Sequence, residues 1–557
     1  MKKILLLVVV ILLGAILRFY KIDKVPVSLY WDEVAQGYNA YSITKTGRDE
    51  YGATYPILFR SFEDYKMPGY IYATSLVIPI FGLSEFSIRF TSAFLGTLTI
   101  LCLYFLIQEL FFLQKKKSKH VKNFQAMSTW GPILGSFLLA ISPWHLQFSR
   151  AAFEANSALF FVVTAVMLFL KGLRDPKFLF LSAISFAISI YFYRSVHVFL
   201  PAALGGFFLI FRRELFSLRK RALILSFLTF FLIVAPILPL LFSDKGFMRA
   251  RQVNVIDNLQ HQVFENAKRT QNAGNNFIAR MIYNRRIVYA QEIGKNYLAN
   301  FSPQFLFFTG DENPRHSVSG MGLLYIWELP FLLIGLQFLF RYWKKAFIFL
   351  LFWFLVGPLP SAIAVPSPHA LRSLNMLPVP QIVTAIGVIS VFLFLKKKER
   401  IIFIVVMGIV ITSFFTRYIS TYYQVYANKS SSYWSDGYKQ LVEYTSVHQA
   451  QYNKIVISGH YWKPYIYVLF FEKVNPLAYQ KYGSERGFDK YVFGGTAWGV
   501  GEKELDKVDL RSMTAGDKSV LVALSPSEFE IQESHINKIT EIKNHNNESV
   551  FIIGELR

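Results

Sequence analysis

The stretch LYWDEVAQGYNAYSITKTGRDEYG, Leu29 to Gly52, sets two adjacent carboxylates, Asp32 and Glu33, among Leu29, Tyr30, Trp31, Val34 and Ala35. A carboxylate packed among apolar and aromatic side chains has a poised proton affinity, which suits a general base. The competing reading makes Asp32 the N-cap of a helix formed by VAQGYNAYSI, because aspartate is a favoured capping residue. Arg48, Asp49, Glu50, Glu63 and Asp64 of the same loop read as solvated loop charges. Lys66 opens the aromatic, amphipathic stretch KMPGYIYATSLVIPIFG. Four more polar clusters follow. Arg150 and Glu154, four apart in SPWHLQFSRAAFEAN, share a helix face and form either a bracing ion pair or part of an acceptor-binding surface. Arg194 and His197 lie in YFYRSVHVFLP, where a cation near the bilayer costs about 3 kcal/mol and wants an anionic partner. Asp311, Glu312, Arg315 and His316 lie in FFTGDENPRHS, and His369 and Arg372 lie in VPSPHALRSLNMLP.

Those clusters need elements to hold them. The chain has 557 residues, 53% of them apolar, with 55 Phe. That composition predicts an α-helical polytopic membrane protein. Apolar runs near 4–20, 86–112, 127–147, 156–171, 178–194, 196–211, 222–242, 322–340, 346–365, 374–395 and 401–419 predict about eleven membrane-spanning helices. The net charge of +23 is concentrated in short basic clusters between these runs, including KKKSKHVK at 115–122, RRELFSLRKR at 212–221 and KKKER at 396–400. This is the pattern of cytoplasmic loops and it argues against nucleic acid as a partner. With eleven spans all the basic clusters share the cytoplasmic side, so the N-terminus lies inside. The loops 21–85 and 243–321 and everything after about Tyr422 then face outward, and all five polar clusters share that side. The first run lacks a small-x-small cleavage site and reads as an uncleaved helix. Cys102 is the single cysteine, so no intrachain disulfide forms.

The predicted organisation is a membrane domain over 1–421 and an extracytoplasmic domain over 422–557. The latter is a small α/β domain, because strand-like runs appear at KIVISGHYW, KSVLVALSP and SVFIIGEL between turn signals. Carboxylates, cations and aromatics at one interface fit a site that binds a lipid-linked phosphate and performs acid–base chemistry beside it.

The order WDE, an amphipathic loop with a Lys-x-Pro segment, SPWHLQFSRAAFEAN, Tyr-Arg before a Pro-containing span, and FFTGDENPRHS resembles the GT-C membrane glycosyltransferases. It looks most similar to the branch of protein O-mannosyltransferases and lipid A aminoarabinose transferases. The resemblance spans roughly residues 1 to 420. It implies transfer of a sugar from a polyprenyl-phosphate donor to a protein hydroxyl, a lipid or a cell-envelope glycan, outside the plasma membrane. It implies Asp32 as the catalytic base with Glu33 as its partner, and Lys66 and Arg194 as donor-phosphate ligands. Lys-Met-Pro-Gly departs from the lysine-plus-prolines of the aminoarabinose branch, so sugar and acceptor stay open. Arg150, Glu154, His197, Asp311, Arg315, His316, His369 and Arg372 are candidate substrate-binding residues. No cofactor is required by the pattern, and a divalent metal at Asp32/Glu33 and Asp311 stays open. Two other classes compete: a non-catalytic scaffold or receptor, which tolerates loss of Asp32, and a transporter, which needs mid-membrane carboxylates that the spans lack.

Overall fold

The computed structural model describes residues 2–114, 124–272, 277–282, 284–494, 510–514, 516–517 and 519–557. The KKKSKHVK cluster at 115–122 lies outside them. The chain divides into two compact units, one formed by Met1–Tyr20 and Ser92–Ile419, the other by Lys21–Thr91 and Ser420–Arg557.

The first unit is helical. Among the described residues, seven helices are long and apolar enough to cross a membrane: Glu85–Gln114, Phe124–Ile141, Glu154–Gly172, Ser195–Phe216, Lys344–Ala362, Leu374–Phe394 and Lys397–Lys429. The other four apolar runs are also helical, as Lys2–Phe19, Lys177–Ile190, Lys220–Val234 and Glu328–Tyr342. Three of those four have only 14 or 15 residues, fewer than the roughly 20 of an ordinary crossing. The run expected at 127–147 breaks in two. Ser142 caps a separate helix, Pro143–Ser149, by accepting the His145 N–H, and Pro143 takes the first helical position. Helices Glu328–Tyr342 and Val379–Phe394 approach closely at Gly335 and Gly387, where a Cβ would stand 2.1 Å from the Val383 carbonyl oxygen and 1.9 Å from that of Phe331. Only glycine permits this separation, a device common between helices in lipid.

The second unit is discontinuous in sequence. The loop at 21–85 groups with the C-terminal segment, not with the spans. The reason is packing: helix Trp31–Thr46 presents Gly37 to Ile88 and Phe470, leaving no room for a side chain. The Tyr38 hydroxyl donates to the Val474 carbonyl at 3.2 Å, and the Gln480 amide donates to the Asp49 carbonyl at 2.9 Å. A two-stranded hairpin, β1 (Phe59–Ser61) and β2 (Asp64–Lys66), pairs Phe59 with Lys66. The C-terminal sheet comprises β3 (Lys454–Ile457), β4 (Gly487–Phe488), β5 (Tyr491–Phe493), β6 (Val520–Leu524), β7 (Ile536–Lys543) and β8 (Ser549–Leu556), in the order β4-β5-β3-β6-β8-β7. Parallel pairing joins β5, β3 and β6, and the remaining pairs are antiparallel. The central strands read as continuous apolar runs, IVI after Lys454 in β3 and VLVAL in β6, because both of their faces are covered.

Two charges expected at the loop surface are buried instead. Asp49 accepts the backbone N–H groups of Tyr51 and Ala53, forming its own turn. Glu50 is enclosed by burial, and that burial, then the neighbouring Glu485 and Asp49 carboxylates, pushes its carboxyl well above the usual range. The folded unit therefore keeps a proton that the unfolded chain releases above about pH 4.3. Stability falls as pH rises from there through the raised folded value. Glu50→Gln removes that dependence: its melting temperature in detergent should exceed that of the wild type near pH 8 and match it near pH 4.

Candidate active site

Asp32 and Glu33 fall in the first turn of helix Trp31–Thr46, whose N-cap is Tyr30. Asp32 is therefore not the cap. Its carboxylate sits inside the first turn, where the helix dipole favours negative charge. The two adjacent acids have opposite fates. Glu33 is fully buried and grips the Arg89 guanidinium bidentately, Oε1 to Nε and Oε2 to Nη2, both at 3.0 Å. Arg89 also donates to the carbonyls of Ile22 and Pro26 at 2.9 Å and to that of Ser28. The Tyr30 N–H closes back on Glu33 Oε2 at 3.4 Å. Asp32 instead remains partly open to solvent and accepts from Lys66 Nζ at 2.7 Å, with side-chain exposures of 24% and 18%.

Aromatics and a second buried cation support this pair. The Trp31 ring meets Trp462 edge-on at 5.0 Å, and Phe62, in the hairpin turn, meets Trp462 at 4.9 Å. Lys463 is buried beside them and bridges Glu63 at 2.7 Å and Glu485 at 3.0 Å. Lys66 is thus delivered to Asp32 by a short hairpin whose turn is pinned on both sides. Each acid of the pair has a cation of the chain as its partner.

The first unit holds the other candidates. Arg150 donates to the carbonyls of Leu17 at 2.6 Å and Tyr20 at 2.8 Å, satisfying the end of the first helix, while Glu154 opens helix Glu154–Gly172. His197 Nε2 bonds the Ile190 carbonyl at 2.9 Å, and Arg194 donates to the Gly246 carbonyl. Asp311, His316 and His369, read as two clusters in the sequence, converge into one. Burial works to raise the Asp311 carboxyl, but the His316 imidazole 3.3 Å away, the charges of both histidines and the Ala370 N–H outweigh it and hold it below the usual range. Arg315 and Arg372 flank the cluster, Arg372 donating to the Pro366 carbonyl at 3.1 Å.

Sequence reasoning missed Arg89 and Lys463. Arg89 stands near the start of an apolar run, where an ionisable residue always needs a partner, and that was the available signal. Lys463 had none, because its partners are 22 and 400 residues away.

No protein-family model matches this chain, and no curated protein matches it. Solved structures do. ArnT from Cupriavidus metallidurans, solved in the apo state and bound to undecaprenyl phosphate, aligns over 99% of this chain and 97% of its own, with a TM-score of 0.52 at 10% and 11% identity. The chain shares the fold of this ArnT structure. The archaeal oligosaccharyltransferase AglB from Archaeoglobus fulgidus, solved in complex with an inhibitory peptide and a dolichol-phosphate, aligns over 84% of this chain at 15% identity and a TM-score of 0.50. The chain spans 63% of AglB's length. At such identities the fold is shared without any side-chain role being carried over, so roles rest on geometry.

Arg89→Met leaves the Glu33 carboxylate buried and unpaired and strips three carbonyls of their donor. It should destabilise the second unit by about 3–5 kcal/mol, read as a lowered melting temperature and faster proteolysis of the loop. Adding Glu33→Leu removes the orphaned charge and should recover part of the loss.

Proposed function

We propose that this protein transfers a glycosyl group from a polyprenyl-phosphate donor to an acceptor hydroxyl on the outer side of the membrane, with Asp32 as general base. The 2.7 Å pair of Asp32 and Lys66 carries the reading: a base and an anion ligand meet at a partly open, aromatic-walled position. The GT-C fold supports the reaction class.

The chemistry follows from the pair. The acceptor oxygen forms a bond to the anomeric carbon as its proton passes to the Asp32 carboxylate. The bond from that carbon to the phosphate oxygen breaks, and the polyprenyl phosphate leaves with the electron pair. Lys66 holds Asp32 in place until the donor arrives, then turns its ammonium to the phosphate, where charge grows in the transition state. Releasing Asp32 from the ion pair at that moment raises its basicity when a proton must be accepted. Attack by a free hydroxyl with one base on its face inverts the anomeric centre. Glu33, saturated by Arg89, positions the helix turn and does not meet the reacting atoms.

Asp32→Asn keeps size and hydrogen-bonding reach but cannot take the proton. Turnover of a radiolabelled polyprenyl-phosphate sugar should fall by about 10² or more, with donor binding nearly intact. Lys66→Ala should weaken donor binding by about 1.5–3 kcal/mol, measured by competition with polyprenyl phosphate, while the protein stays folded. A folded Asp32→Asn protein that transfers at the wild-type rate removes the assignment.

A further inference from the structure

Two segments of the first unit, 310–317 and 365–372, bring Asp311, His316 and His369 together. His316 Nδ1 lies 3.3 Å and His369 Nδ1 lies 3.8 Å from Asp311 Oδ2. All three ligand atoms fall within 4.8 Å of one another, and the imidazole rings are 4.6 Å apart. Both histidines are more than nine-tenths buried, and each Nδ1 is enclosed without a hydrogen-bond partner. An ordinary buried histidine satisfies its nitrogens; two that leave the same atom unmet against one carboxylate oxygen need another explanation.

The carboxylate is held from behind. Oδ1 accepts the Asn313 N–H at 2.9 Å, and Oδ2 accepts the Ala370 N–H at 2.6 Å. The Ser317 hydroxyl fastens the loop by donating to the Asp311 carbonyl at 2.8 Å, and Phe148 stacks on the His316 ring. These supports orient a ligand in the way that backbone donors and packing orient the groups around a metal. A proton shared between the histidines and Asp311 satisfies only one Nδ1 at a time. A cation at the centre satisfies both and the carboxylate together.

We propose that Asp311, His316 and His369 bind a divalent ion of the zinc class through Oδ2 and the two Nδ1 atoms. Ligands at about 2.1 Å around a tetrahedral ion stand roughly 3.4 Å apart, close to the separations the side chains already have. Imidazole nitrogens with one carboxylate favour zinc and its neighbours over magnesium or calcium, which prefer all-oxygen sites. Three protein ligands leave a fourth position for water. The ion ties the segment carrying Arg315 to the segment carrying Arg372, which fixes the spacing of those two cations.

The test uses the full-length protein in detergent, stripped with a chelator and titrated with zinc chloride or cobalt chloride. The wild type should take up about one zinc per chain, melt at a higher temperature when loaded, and give the visible absorption of tetrahedral cobalt. His369→Gln and His316→Gln, which preserve volume, should each lose that stoichiometric ion and the thermal shift. A folded wild type that binds neither metal overturns the proposal, and so does equal binding by both variants, which puts the ion elsewhere. Because the readout is metal content and not sugar transfer, its outcome is independent of the reading of Asp32 and Lys66.

Discussion

The bidentate contact between Glu33 and Arg89 is the constraint on which the geometry of the acid pair rests. A buried guanidinium must find acceptors for all of its donors, and Arg89 finds them in one carboxylate and three carbonyls. Those carbonyls belong to Ile22, Pro26 and Ser28, so one side chain winds the chain between the first helix and the helix Trp31–Thr46. Winding it fixes the direction in which that helix begins. Asp32, one residue before Glu33, is then rotated by about 100° around the helix axis and meets Lys66 instead of the interior. Separation of the two acids follows from helical geometry once one of them is anchored.

The same contact explains how far the sequence could be read. Spans, basic clusters and strand runs were legible because each is a local pattern repeated over many residues. Asp32 and Lys66 were legible because an acid among aromatics and a lysine before a proline are local oddities. Asp49 and Glu50 were misread as solvent-facing because nothing nearby announces burial: Gln480 meets the Asp49 carbonyl, and Tyr465, Tyr479 and Glu485 neighbour Glu50, all more than 400 residues along the chain. The convergence of Asp311 and His316 with His369 was hidden for the same reason. Five residues of loop and a distant turn show no common period, and only the fold puts them within reach.

Burial also separates groups of the same chemical type into different work. Arg18, Arg89 and Arg150 all spend their donors on backbone carbonyls or a buried partner, which makes them struts. Lys66 keeps a partly exposed ion pair and Arg372 a carbonyl bond, and in the proposed reaction Lys66 is the cation that answers the donor phosphate. Lysine suits the first of these positions, since its flexible stem lets one ammonium change partners at small cost, whereas a guanidinium fork is committed by its shape.

Lys463, gripped by Glu63 and Glu485, has a consequence for the order of synthesis. Its two partners emerge from the ribosome 400 residues before it and 22 residues after it. At about 5–20 residues per second, the early loop waits on the order of half a minute before the segment that covers it exists. Through that interval the hairpin carries an unanswered acid and uncovered aromatics. Assembly of the second unit is therefore a late event in the life of the chain, completed only when the last strands of its sheet have been made.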